Sequence, residues 1–431
     1  MVTAVVLGSG FSRAISSEMP TMAELVRRVG QHAEIDMAPL ARFGDDLEQW
    51  LSFLSVDQPW LTAAENYSNR SAFLRITDCV FQEIEAAEER TVSGQLPDWL
   101  ARFVWLLCER QSAVFTFNYD TLFERVVTVL NRVRTWADIY GGPVTTRSAA
   151  ASALFLGPGD PDGSVPSLFK LHGSTNWAFG GLEGPLNDPI VLTSHYAAWS
   201  PVAAKPGTLP PRYNHMFDDL VPLIVPPTFS KGPYFTNRSL RAQWATGARA
   251  LSAADELLIV GYSFPSGDLV ARQWLATTAR PAKIIVVDPN EQVVERVRTL
   301  MNTDSDIGYY SSVEEYVDSE VGPLLRWRIR LSDDGRGEPL LDLRVSGEDL
   351  LGDVHRAAVA PWGDRNGGVT AWLKELLDIA LPHVRRDTLA EADPDGRTLE
   401  EGMAVLPPGG QASIATAVKE HLSANTEALD S

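Results

Sequence analysis

The chain has 431 residues, 45% of them hydrophobic and 22% charged, which excludes a low-complexity or fibrous protein and leaves room for a large core. At roughly 100–200 residues per domain, the length points to two or three units. The formal charge of −19 excludes general adhesion to nucleic acid, because phosphate neutralisation needs the opposite sign.

The two cysteines, Cys79 and Cys108, lie far apart and form no CxxC pair. Neither a disulfide framework nor a structural zinc is expected, and a reducing cytosol fits. The opening MVTAVVLGSGFSRA lacks the basic and long apolar regions of a signal peptide. No run of about 18 apolar residues predicts a membrane span.

In chain order, TAVVLG (3–8) reads as a buried strand, GSGFS as a turn, and the spacing of Met22, Leu25, Val26 and Val29 as a helix. Residues of about 31–110 read as a helical insert, with one stripe at Phe73, Ile76, Val80 and Ile84 and another at Trp99, Phe103, Val104 and Leu107. Residues 112–117 predict a strand, and Leu122, Val126, Val129, Leu130 and Val133 a helix. The Gly, Pro, Ala and Ser content of 137–166 predicts a loop.

Short strands are expected at 167–172, 190–193 and 222–225, then a helix at 239–254. Strands at 256–263, 283–288 and 306–310 alternate with helices near 268–278 and 291–301, and a short helix follows at VEEYV. Continuous Val/Ile/Leu runs between helices predict an α/β domain over 1–322, a Rossmann-like parallel sheet with helices on both faces. Residues 323–385 predict a small α+β segment, a hairpin around DDGRGEP followed by the helix TAWLKELLDIAL. Residues 386–431 read as an acidic tail, either partly flexible or an oligomer-contacting arm, with one late helix at ASIATAVKEHL.

Five strand ends carry ligand-type residues: 8–12, 118–120, 172–174, 261–263 and 288–290. Open α/β sheets bind ligands outside the carboxyl ends of their strands. Gly8, Ser9 and Gly10 follow the first strand, where a backbone can approach a pyrophosphate, although residue 13 is Arg and the full GxGxxG is absent. The run FTFNYD ends in Asn118 and Asp120, which either cap the next helix or grip a ligand. His172 follows an apolar strand and precedes Gly173, so it is either a core histidine or a base suited to neutral pH. Asp288 is read equally well as a cap or as a ribose ligand, whereas Ser263 taken alone reads as a helix cap rather than a phosphate ligand.

Taken together, these motifs resemble the bacterial branch of the sirtuin superfamily, the Sir2-like proteins. GSGFSRAISSEMPTMAEL (8–25) is similar to the family's GAGxS loop, TFNYD to T-x-N-x-D, LHGS to the catalytic LHG, VGYS (260–263) to G-x-S, and VVDPN to the ribose strand end. The resemblance covers residues 1–30 and about 110–320. It implies that Asn118 orients the attacking group at the nicotinamide ribose, that Asp120 holds the nicotinamide amide, and that His172 is the base. It also implies that Gly8, Ser9, Gly10 and Ser12 surround the phosphates of NAD with Ser263 nearby, and that Asp288 meets the adenosine ribose. Phe11, Thr116, Gly261 and Asn290 complete the NAD-binding set so implied.

The chain departs from protein-deacylating sirtuins. It has no four-cysteine zinc module, the peptide-binding stretch is replaced by STNWAFGGLEG, and the usual Gln before the Asn is Phe117. These departures match Sir2-like NAD hydrolases of antiphage defence. The resemblance then implies an oligomer, NAD as substrate, no metal, and a sensor on a separate chain of ATPase/helicase or Argonaute type. Two alternatives stay open: a non-catalytic NAD-sensing module, and an NAD-dependent deacylase or ADP-ribosyltransferase.

Overall fold

The computed structural model describes residues 2–130, 139–147, 153–156, 165–179, 190–192, 199, 221–229, 231–265, 267–303, 307–321, 324–331, 339–345, 348–349, 387–388 and 398–405. The chain divides into two compact units, Met1–Pro97 with Leu107–Val313, and Asp98–Leu106 with Glu314–Ser431.

The first unit is built on a six-stranded parallel sheet. Its strands are β1 (Thr3–Leu7), β2 (Ala113–Thr116), β3 (Ser167–Lys170), β4 (Glu256–Val260), β5 (Lys283–Val287) and β6 (Ile307–Tyr310). The spatial order is β6-β5-β4-β1-β2-β3, the doubly wound arrangement. The topological switch therefore falls between β1 and β4, where Leu7 pairs with Val260.

The central strands are buried throughout, which explains their unbroken apolar runs. On one face Ala4, Val6, Phe115, Phe169, Leu257, Ile259, Ile284 and Val286 share a core with apolar residues of three helices. These helices are Arg238–Ser252, Leu269–Thr278 and Gln292–Met301. Phe115 stacks on Phe169 with ring centroids 5.0 Å apart.

The expected turn at GSGFS is instead the start of a helix, α1 (Ser9–Ile15), directly after β1. The chain enters it through a close meeting of glycines at the switch point. The Gly8 amide donates to the Val260 carbonyl at 3.0 Å, and the Gly10 amide to the Gly261 carbonyl at 2.9 Å. A Cβ on Gly8 would lie 2.4 Å from the Gly261 oxygen, and one on Gly261, whose φ is +59°, 2.3 Å from the Phe11 nitrogen. Backbone cannot retreat from such contacts. Gly261→Ala is therefore expected to destabilise the unit by about 3 kcal/mol or more, read as a lowered urea midpoint.

The insert between β1 and β2 is helical as expected. It contains α2 (Met22–Val29), a 3-10 turn at Ala38–Phe43, α3 (Leu47–Leu54) and the 30-residue α4 (Ala63–Val92). Thr21–Glu24 and Thr62–Glu65 form capping boxes that start α2 and α4. The stripe Phe73, Ile76, Val80 and Ile84 joins Leu25, Val29, Leu47, Trp50 and Leu51 in a separate core.

The segment between β3 and the Arg238–Ser252 helix differs from the sequence expectation. Strand β3 stops at Lys170, so His172 lies in a turn. Gly173–Phe179 then forms a strand, paired antiparallel with Val191–Leu192 and Val221–Ile224 in a second, three-stranded sheet. The residues Ser174, Thr175 and Asn176 hide this strand in sequence, yet all are buried. The expected loop at 137–166 contains the antiparallel pair Val144–Arg147 and Ala153–Leu156.

In the second unit the expected hairpin is present, with Leu324–Leu331 antiparallel to Pro339–Val345. Its other edge pairs with Thr398–Val405, a strand within the segment read as an acidic tail. TLEEGMAV carries too few apolar residues to announce it. The helices expected at TAWLKELLDIAL and ASIATAVKEHL lie outside the described residues. Among the described residues no helix is long and apolar enough to cross a membrane.

Candidate functional site

At the carboxyl ends of the central strands lies a cavity of about 280 Å³. Ser9, Ser12, Asn118, Asp120, His172 and Ser263 all line it. It also takes in residues that the sequence did not single out: Glu48, Tyr119, Lys231, Tyr262 and Asp268. Leu25 and Ile84 bring the helical insert in as one wall.

Asn118 stands two residues after the end of β2. Its Nδ2 donates to the Gly8 carbonyl at 2.8 Å and to Ser12 Oγ at 2.9 Å, and its amide donates to Thr116 Oγ1 at 3.0 Å. Ser12 Oγ in turn donates to Asp120 Oδ2 at 2.7 Å. Asn118, Ser12 and Asp120 thus form one chain of hydrogen bonds that fixes the loop after β1 against the loop after β2. The capping meaning of FTFNYD is met by Asp120, whose Oδ1 accepts the Leu122 amide at the start of the Leu122–Val129 helix. Burial raises the Asp120 pKa, opposed by the Lys170 ammonium.

Two buried charges clamp this turn from behind. Lys170 Nζ donates to the Asp120 carbonyl at 2.5 Å and lies 3.4 Å from Glu124. Glu88, on α4, accepts the Thr121 amide at 3.0 Å, the Thr121 hydroxyl, and Arg125 Nε at 2.8 Å. Glu88→Ala removes the acceptor of the Thr121 amide and hydroxyl and the buried carboxylate paired with Arg125. It is expected to cost about 3–5 kcal/mol in chemical denaturation.

His172 sits on the opposite wall. Gly173, with φ +81°, makes the turn; a Cβ there would lie 1.9 Å from the Leu223 carbonyl oxygen, so the His–Gly pair reflects a backbone need. The imidazole packs beside Phe117, centroids 5.0 Å apart, and Phe117 stacks on Tyr262 at 4.7 Å. His172 Nε2 is shut from solvent, has no hydrogen-bond partner, and lies 3.6 Å from Asp268 Oδ1. Burial lowers the His172 pKa to about 4, with Asp268 raising it and Lys231 lowering it further. The ring is therefore neutral at pH 7.

Asp268 accepts from Lys231 Nζ at 2.7 Å and from the Tyr262 hydroxyl at 2.7 Å. Burial raises its pKa, but the nearby imidazole once protonated, the Lys231 charge and these two hydrogen bonds outweigh that and leave it lowered. Glu48 is pushed up, mainly by burial. The turn that carries Tyr262 and Asp268 holds Phe264 at φ +57°, strained for a residue with a side chain, while Gly261 takes its φ of +59° freely.

The remaining sequence candidates stand apart from the cavity or beneath it. Thr116 lies below Asn118 as a hydrogen-bond support. The amides of Gly8, Gly10 and Phe11 are already engaged, the last with the Gly8 carbonyl at 2.9 Å. Those three amides are thus not open to the phosphate contacts that the motif implies, while Ser9 and Ser263 are exposed and line the cavity. Asp288 caps its own turn by accepting the Asn290 amide at 2.8 Å, and neither residue lines the cavity.

Both cysteines are free and buried. In the insert, ligand atoms of His32, Glu34 and Cys79 lie within 4.8 Å of one another. They already serve each other, since Cys79 Sγ donates to Glu34 at 3.8 Å and His32 Nε2 meets Glu83 at 2.9 Å.

No protein-family model matches the chain, and a search of curated proteins finds no match.

Proposed function

We propose that the first unit is a Sir2-like NAD⁺ glycohydrolase that releases nicotinamide and ADP-ribose. The observation that carries this reading is the convergence of Asn118, Asp120, Ser12 and His172, from three separated segments, on one cavity beside the switch point of a doubly wound sheet. Helix capping accounts for one of these residues at a time and not for their meeting.

The chemistry follows from the groups present. Nicotinamide in NAD⁺ is a cationic leaving group. As its C–N bond breaks, the electron pair stays on the departing ring and positive charge develops on the ribose, as in other glycoside cleavages. Phe117 and Tyr262 line the cavity with aromatic surface beside the reacting groups, and Asp268, paired with Lys231, lies on its wall. Asn118 orients the ribose or the incoming water without titrating. Neutral His172 takes the proton that the attacking water loses. NAD⁺ and water thus give nicotinamide, ADP-ribose and a proton.

At about 280 Å³ the cavity suits one nucleoside-sized end of the dinucleotide. Asp288 lies outside it, at the neighbouring strand end beyond β4, where the adenosine half would extend. Assembly into an oligomer, a trigger on a separate sensor chain, and a role in antiphage defence belong to the same proposal and rest on the motif resemblance.

The test is chromatography of NAD⁺ incubated with the purified chain and no acceptor. Equal amounts of nicotinamide and ADP-ribose support the reading. Nicotinamide release only with an acylated peptide or protein acceptor would replace it with transferase chemistry. NAD⁺ binding without turnover, even after oligomerisation, would replace it with a sensor.

A further inference from the structure

Asp268 occupies the N-cap position of the Leu269–Thr278 helix, where an aspartate ordinarily accepts an amide of the first turn. Here the side chain makes no such bond. The carboxylate is turned instead into the cavity and is buried there. Its Oδ2 is held by Tyr262, and its Oδ1 by Lys231. Oδ1 also faces the orphaned His172 Nε2 at 3.6 Å. A helix has thus given up its cap, and a carboxylate has been fixed by two donors, at the place where a buried imidazole nitrogen lacks a partner.

We propose that Asp268 is the positioning residue of His172. It receives the Nε2 hydrogen, fixes the tautomer and leaves Nδ1 as the proton acceptor. This rests on the reading of His172 as the base of the cavity. A separation of 3.6 Å is long for a hydrogen bond, and such contacts tighten when substrate closes the site.

Lys231 sets the character of the pair. It neutralises Asp268, so the carboxylate orients the imidazole without drawing a second proton onto it. The charged groups acting on His172 are Asp268 and Lys231. Phe117 and Trp244 cover the ring from the sheet and from the Arg238–Ser252 helix. From the insert side Glu48 faces the same group, and Lys231 and Asp268 both act on it. A neutral, correctly turned imidazole is the expected resting state.

The decisive measurement is the tautomer. With ¹⁵N-histidine labelling, the His172 signal is assigned by its loss in His172→Gln, and the protonated nitrogen is read from its couplings to the ring hydrogens. Nε2–H in the wild type is expected, with a shift toward Nδ1–H in Asp268→Asn. That variant keeps the volume and an acceptor for Lys231. Its nicotinamide release should fall on the order of 10²–10⁴-fold in kcat, with KM moving by less than about threefold.

An Nδ1–H ring in the wild type would overturn the proposal. So would Asp268→Asn turnover within about twofold of wild type, or a lowered melting temperature with tautomer and kcat unchanged. The tautomer is read without substrate. If the wild type releases no nicotinamide, the glycohydrolase reading fails while the Asp268–His172 pairing is still decided.

Discussion

Asn118→Ala is expected to reduce nicotinamide release from NAD⁺ by on the order of 10²–10³-fold, with NAD⁺ binding changed little. The amide is fixed before any ligand arrives, because the Gly8 carbonyl and Ser12 Oγ both accept from it. Alanine leaves the cavity wall in place but removes the group that holds water or ribose in line. From sequence, placement at a sheet end promises a variant folded as well as the parent. The two hydrogen bonds revise that expectation to a loss of about 1–2 kcal/mol. Turnover within a few-fold of wild type, in a variant whose melt confirms the small stability loss, would remove Asn118 from the reaction.

His172→Gln is expected to lower turnover by on the order of 10²–10⁴-fold and to change how the protein responds to acid. In the folded wild type the ring has a pKa of about 4 against an ordinary 6.5. The unfolded chain therefore binds the proton more readily between those values. Stability is unaffected by this group above about pH 6.5, declines as pH falls below it, and levels off below about pH 4. At pH 5 the contribution is about 2 kcal/mol. Glutamine removes it, so the wild type should lose more stability than the variant between pH 7 and pH 5. Parallel curves would mean that the imidazole is not held neutral by burial. The same low pKa means that nicotinamide release by the wild type should show no acid limb near pH 6.5.

The sheet was readable because its strands are buried on both faces, and unbroken apolar runs such as ELLIV and KIIVV have few other uses. The helical insert was readable from the period of Phe73, Ile76, Val80 and Ile84. The strand Gly173–Phe179 was not, because it buries Ser174, Thr175 and Asn176 through hydrogen bonds that no hydrophobic pattern records. Thr398–Val405 escaped for a related reason: its acidic residues look solvated until a partner strand is found.

In the cavity, residues carried by short motifs at strand ends were legible. Lys231 and Glu48 were not, since each lies in a segment whose local sequence serves another purpose. Asp268 ends the motif VGYSFPSGD and looks like an ordinary helix cap. Only its side-chain direction separates it from one. The insert, too, gave no sign in sequence that Leu25, Glu48 and Ile84 would close one wall.

The strand order carries a further consequence for synthesis on the ribosome. β1 precedes every other strand of its sheet in the chain, yet it lies in the middle of the sheet, and its neighbours begin at Ala113 and Glu256. Closure of Gly8 and Gly10 onto Gly261 cannot occur until more than half the chain has emerged. Contacts of such long sequence separation form slowly. The cavity therefore appears only when early and late segments of the chain meet.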